Sequence, residues 1–141
     1  MSGTTEIGNA LRSRLTAVSP GAAITATLVA WENRPFVPPT TGFWYRVTLL
    51  PGVPRAAAIG ETAQNRHVGV FVVSVFGQSG QGDGLVAEEA ERIAACYKRG
   101  TVLTASGVQV VCVRAYRKEG QAKPDYFGVP VFVEWRADVA N

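Results

Sequence analysis

The sequence holds a single histidine, His67, and two cysteines, Cys96 and Cys112, that lack CxxC spacing. Each shortage excludes a chemistry. A transition-metal site needs several nitrogen and sulfur ligands at close, patterned spacing, and one histidine with two distant thiols and scattered carboxylates does not supply it. A serine or cysteine nucleophile would have to use His67 as its base, and no nucleophile-elbow sequence is present. His67 reads instead as a polar residue at a strand end, hydrogen-bonded to a loop. Two lone cysteines suit free thiols in or beside a core better than a disulfide framework.

Long apolar runs are missing too. None reaches the eighteen or so residues needed to span a bilayer, and the opening Met-Ser-Gly-Thr-Thr-Glu has neither the basic nor the apolar part of a signal peptide. No membrane contact is expected. Charge is sparse, at 18% of residues with a net of +3, and the fourteen basic residues are spread along the chain. That balance fits a solvated surface with a small cationic excess, one that permits contact with nucleic acid or an acidic protein surface. Zinc-finger spacing, an aromatic RNP-type strand and an arginine-rich helix are all absent. Arg114, Arg117, Lys118 and Lys123 make one stretch locally basic, interrupted by Glu119 and Asp125. Such a stretch can touch a phosphate backbone passing nearby, blind to sequence.

What is present is 47% hydrophobic residues in 141, enough for one domain over residues 1–141 that buries roughly two-thirds of its unfolded surface. Ile7, Leu11, Leu15 and Val18 recur on one face of a first helix, opposite Arg12, Ser13 and Thr16. Thr4 or Thr5 caps its start, Glu6 suits the positive end of its dipole, and Ser19-Pro20-Gly21 stops it. Residues 24–31 read as a strand. Three prolines and a glycine make residues 32–42 an extended loop. Residues 43–50 alternate as a strand that ends at Pro51, and a looser connection runs to Asn65.

Residues 66–76 form the strongest strand, apolar on both faces and therefore expected to be central and covered on both sides. A glycine-rich turn follows, and then a second helix. Its buried stripe is Val86, Ala90, Ile93, Ala94 and Tyr97. Glu88, Glu91, Arg92 and Arg99 face water, Glu88 and Arg92 form an i,i+4 pair, Glu88, Glu89 and Glu91 read as a solvated face, and Gly100 closes the helix. Strands are expected at residues 102–104, 108–116 and 129–137, the last two separated by a polar loop at 117–128. The order helix-β-β-β-helix-β-β(-β), with short connections, indicates an α+β domain: a mixed, mostly antiparallel sheet with two helices packed on it.

The turn Gly77-Gln78-Ser79-Gly80-Gln81-Gly82-Asp83-Gly84 has the glycine spacing of a phosphate-binding loop, but Asp83 and Gly84 stand where lysine and serine or threonine are needed. A carboxylate there repels phosphate, so Asp83 reads as a helix N-cap. No cofactor is expected. A small enzyme using His67 with Asp83 or Glu61 is the alternative from a different class, and a weak nucleic-acid-binding module through residues 114–123 is a third.

Aromatic residues are the surplus. Trp31, Phe36, Phe43, Trp44 and Tyr45 surround the proline-rich loop, and the strand at 43–50 carries large apolar groups on both faces. The face with Trp44 and Leu50 is either covered by a helix or is a subunit interface.

Trp31-x-Asn33-x-Pro35-Phe36-x-Pro38-Pro39, then Trp44-Tyr45-Arg46-Val47-Thr48-Leu49-Leu50-Pro51 and Arg66-His67-x-Gly69-x-Phe71-x-Val73, lie between the amphipathic first helix and the helix holding Ala90-Glu91-x-Ile93; the closing strand starts at Val129-Pro130-Val131. In this series the chain resembles the tail terminator (tail completion, minor tail protein) family of long-tailed phages and prophages. The resemblance implies a non-enzymatic subunit of the virion tail, made in the host cytoplasm. It implies a homo-oligomeric ring, a hexamer, that ends tail-tube polymerisation and forms the surface for joining the head. Its partners are then further copies of itself, the tail tube protein and a head–tail connector, with non-specific contact to passing DNA. A head–tail adaptor or another neck subunit is the neighbouring alternative. The contact residues expected are Trp31, Asn33, Phe36, Trp44, Arg46, Arg66, Arg117 and Lys118.

Overall fold

The computed structural model describes residues 3–17, 28–39, 42–61, 63–78, 80 and 84–140. In chain order these form α1 (Gly3–Thr16), β1 (Val29–Ala30), β2 (Trp44–Pro51), β3 (Arg55–Ala56), β4 (Gln64–Gln78), α2 (Gly84–Cys96), β5 (Val102–Ala105), β6 (Val108–Arg117), β7 (Gln121–Ala122) and β8 (Tyr126–Ala140). The strands join in one sheet ordered β1-β2-β4-β8-β6-β5, with β3 paired to β4 and β7 to β8. Every pairing is antiparallel except β1 with β2. The expected α+β domain with two helices is therefore present. Among the described residues four strands rather than three separate the helices and four follow, because β3 and β7 are two-residue pieces too short to leave a periodic signal.

The 15-residue β4 and β8 run side by side through the middle of the sheet. Their odd-numbered residues face the helices: Phe71, Val73 and Val75 on β4, and Val129, Val131, Val133 and Trp135 on β8, all buried. Both helices lie on that one side. α1 contributes Ile7, Leu11 and Leu15, and α2 contributes Val86, Ala90, Ile93 and Cys96, followed by Tyr97. Two polar contacts lock the helices together. The Tyr97 hydroxyl donates to the Leu11 carbonyl at 2.7 Å, and Arg14 Nε donates to the Cys96 carbonyl at 3.0 Å, satisfying a carbonyl in the last turn of α2.

Among the described residues, no helix lies over the even-numbered residues of the same strands. Val70, Val72 and Phe132 are half-buried and Val68 is 41% exposed. The expectation that β4 is covered on both sides is thus met only at one end, where Phe76 is buried; its alternation is apolar twice over, but the two described helices supply only one layer.

Other expectations shift at their edges. α1 already includes Thr4 and Thr5, so neither stands at its cap, while Val18, residues 19–27 and Asp83 lie outside the described residues. Of the strand expected at 24–31, the described part is β1. β8 begins at Tyr126, shortening the polar loop expected at 117–128. Gly100, at φ 86°, follows α2 as expected and donates its N–H to the Cys112 carbonyl at 2.9 Å. Gly77 allows close approach: a Cβ there would sit 2.6 Å from Val86 Cγ2 at the start of α2.

Under the sheet, Arg92 pairs with Glu89 at 2.7 Å. Tyr45 joins them: its hydroxyl reaches down from β2 and donates to the same Glu89 carboxylate. Glu89 is consequently half-buried, and only Glu88 and Glu91 remain exposed to water. Burial pushes the Glu89 carboxyl up, but hydrogen bonds from Arg92 and Tyr45 outweigh it and hold it below the ordinary range. Burial, and then the bond to Glu89, raises the Tyr45 hydroxyl well above its ordinary value.

Candidate contact surfaces

Five of the eight expected contact residues meet in one groove. Trp31, Asn33, Phe36, Trp44 and Arg46, together with Arg34 and Pro38, line a cleft of about 450 Å³ between the 31–38 segment and β2. The segment reaches this position because Glu32 ties it down. Its carboxylate accepts the Leu49 N–H of β2 at 2.8 Å and lies 3.7 Å from Arg12 of α1. That bond also occupies an amide on β2, a strand that among the described residues only the two-residue β1 flanks on its outer side. Asn33 adopts φ 56°, a left-handed conformation that asparagine tolerates, and turns the chain just after Glu32.

Phe36 then folds back onto Trp44, ring centroids 5.2 Å apart. Trp44 stacks on Phe76 at 4.2 Å, and Tyr126 meets both rings edge-on. Trp44 is 2% exposed. Its burial explains part of the aromatic surplus: within the chain, Phe36 of the proline-rich segment packs over Trp44 at this end of the sheet's second face. Arg46 remains exposed, its guanidinium 5.7 Å from the centroids of both Trp44 and Phe76.

The remaining three expected residues do not join the groove. Arg66 sits towards the other end of β4, bonded to Asp138 of β8 at 2.9 Å and 3.1 Å, which raises the guanidinium and lowers the carboxyl. Arg117 turns to the helix side and pairs with Glu91 of α2 at 3.2 Å. Lys118 lies on the open side, its ammonium 4.5 Å from the centre of the Phe132 ring. Arg114, on the same side, sits over Tyr116 and pairs with Glu134. The basic stretch at 114–123 is therefore divided between two faces, because alternation puts Arg114 and Lys118 on one side and Arg117 on the other; the bulge between Cys112 and Arg114 decides which side faces the helices.

A surface that no sequence pattern announced emerges from the register. Arg46, Arg66, Arg114, Lys118 and Arg136 share the open face with Glu134 and Asp138. With Arg55, which stands opposite Arg66 on β3, six cations share this face with two carboxylates. Residues far apart in sequence contribute to it, so only the strand pairing could reveal it.

His67 lies within β4, opposite Ala137 of β8, and Glu61 lies in the exposed turn before that strand. Among the described residues no group of three or more His, Cys, Asp and Glu could hold a metal ion. Cys96 and Cys112 are both buried and free. Burial pushes the Cys112 thiol up to about 11. Among the described residues no helix is long and apolar enough to cross a membrane.

Fold and surfaces together define a small α+β protein whose distinctive chemistry lies in what it can touch: an aromatic groove at one sheet corner and a cationic open face. Residues 6–135 match the family model described as phage tail terminator protein, and the chain belongs to that family. It is a family of structural proteins with a part in phage tail assembly, which places the chain among components of the virion tail. Among solved structures, one that is 26% identical superposes with a TM-score of 0.69, covering 93% of this chain and 92% of the other. Among curated proteins there is no match.

Proposed function

We propose that the chain caps the phage tail tube as a homo-oligomeric ring, a hexamer, ending tube polymerisation and forming the surface that joins the head. Family membership over residues 6–135 carries this reading. Such a task needs one side-to-side contact that closes on itself and two unlike end faces, with no catalytic step. The tube protein and a head–tail connector are the partners of those end faces, and assembly takes place in the host cytoplasm. Trp31, Asn33, Phe36, Trp44 and Arg46 act as one contact site; Arg66, Arg117 and Lys118 belong to separate parts of the surface. The cationic open face supports a second, weaker contact with DNA passing the ring, of a kind that reads no sequence and falls steeply with salt.

Size-exclusion chromatography with light scattering tests the ring. At raised concentration, or with tail tube protein added, a hexamer-sized species is expected. A strict monomer under both conditions contradicts the reading.

A further inference from the structure

The open face of the sheet has an internal order. Leu50 stands abreast of Val70, and Thr48, Val72, Phe132 and Tyr116 form the next row across β2, β4, β8 and β6. Val68 continues the pattern along β4. Together these side chains make an apolar belt across the middle of the face. Leu50 is 50% exposed and Val68 41%, and the Phe132 and Tyr116 rings stack at 5.9 Å. The cations gather at the two ends of the belt. Arg46 and Lys118 stand one row beyond Val72 and Phe132, on either side of Ser74 and Pro130. In the other direction Arg136 stands beside Val68, with Arg66 and Arg55 one row further on.

An apolar centre within a charged rim is the anatomy of a protein–protein contact. From the Arg46 row to the Arg66 row the face runs about 27 Å, and four strands make it about 19 Å wide. That is on the order of 500 Å² before side-chain relief, a large part of the roughly 800 Å² that each partner gives to a standard interface.

Charge states which partner fits. The two carboxylates on the face are already held, Glu134 by Arg114 and Asp138 by Arg66. Arg46, Arg55, Lys118 and Arg136 enter no ion pair among the described residues. A cover for this face must therefore bring carboxylates to its ends and aliphatic groups to its middle. A second copy of this chain does not bring them. Glu6 is buried, and Glu32, Glu89, Glu91, Glu134 and Asp138 are each paired with an arginine. Glu88 lies apart on α2, while Glu119 and Asp125 lie in sequence beside Lys118 and Lys123. Duplex DNA, the weaker contact above, meets the cations through its phosphates and leaves the aliphatic belt bare.

We infer that the open face of the sheet docks a different protein, one whose contact patch is aliphatic at its centre and rich in carboxylates at its ends. The inference needs the chain's place in the tail, not the ring.

Particle assembly tests it with full-length variants supplied in place of the wild-type chain. Leu50→Gln with Val68→Thr strips the belt; Lys118→Gln with Arg136→Gln strips the rim. Circular dichroism establishes that each is folded, and Leu50→Gln alone, at a half-exposed position, serves if the double belt variant unfolds. The belt variant is expected to enter particles at least about tenfold less well than wild type, the loss of a moderate anchor. Its self-association and its binding to a short DNA duplex are expected to stay at the wild-type level. The rim variant is expected to lose both particle entry and DNA binding. A belt or rim variant that enters particles as wild type overturns the inference. So does a belt variant whose self-association falls, which makes the occupant a second copy, or whose DNA binding falls, which makes it DNA.

Discussion

The two faces of the sheet are made from the same strands and nearly the same residue types, yet they have opposite fates. On β4, Phe71, Val73 and Val75 lie beneath α1 and α2 at 0% exposure, while Val70 and Val72 one step away are only half-buried. The covered face is dry apart from tethered polar contacts such as Tyr45–Glu89–Arg92. The open face carries cations seated on aromatic rings and an excess of positive charge. Apolar alternation thus reports that a strand has two faces able to be buried, and the supply of helices decides which one is buried within the chain.

The largest effects are expected on the covered face. Phe71→Ala removes a ring buried beside Tyr97 and is expected to cost about 3–5 kcal/mol in denaturant unfolding. Val72→Ala, its neighbour on the open face, is expected to cost under about 1 kcal/mol. Equal losses would show that the open face is also covered in the free protein.

Glu89→Ala leaves the Tyr45 hydroxyl without its acceptor beneath the sheet, and a loss of about 1–3 kcal/mol is expected. A pH dependence follows. The Glu89 carboxyl is lowered in the folded state, so its contribution is present above the ordinary carboxylate pKa and fades as pH falls through the lowered value. Tyr45 is raised, so its contribution is present below the ordinary tyrosine pKa near 10 and is lost as pH rises beyond it. Glu89→Gln is expected to flatten the acid limb of a melting-temperature profile and leave the alkaline limb controlled by Tyr45; an unchanged acid limb would place the acid sensitivity elsewhere.

Cys112 is fully buried and its thiol is raised, so it is expected to react with a thiol reagent only as fast as the protein opens, and at once in denaturant. Rapid native labelling would mean that the covered face is not dry. The smallest effect is expected from Arg114→Ala, which removes an exposed pair with Glu134 and should leave the melting temperature unchanged.

How much of this was legible in the sequence follows the same division. The 3.6-residue spacing of Ile7, Leu11 and Leu15 and of Val86, Ala90 and Ile93 marked both helices, because each buries a single stripe. β4 and β8 were legible through their valines. The groove was legible as a cluster, since Trp31 to Arg46 are near in sequence and bear the family resemblance. The cationic face was not, because Arg46, Arg114 and Arg136 become neighbours only through strand register. Nor was Glu89 separable from Glu88 without Tyr45 above it. The segment at 52–61 read as a loose, alanine-containing connection, and its exposure became visible only once β3 was seen paired to β4.

The central claim, that this chain ends tail-tube growth, is tested most directly by electron microscopy of phage particles assembled without it. Tails that run on to uncontrolled lengths and fail to join heads are the predicted result; tails of normal, uniform length would contradict it.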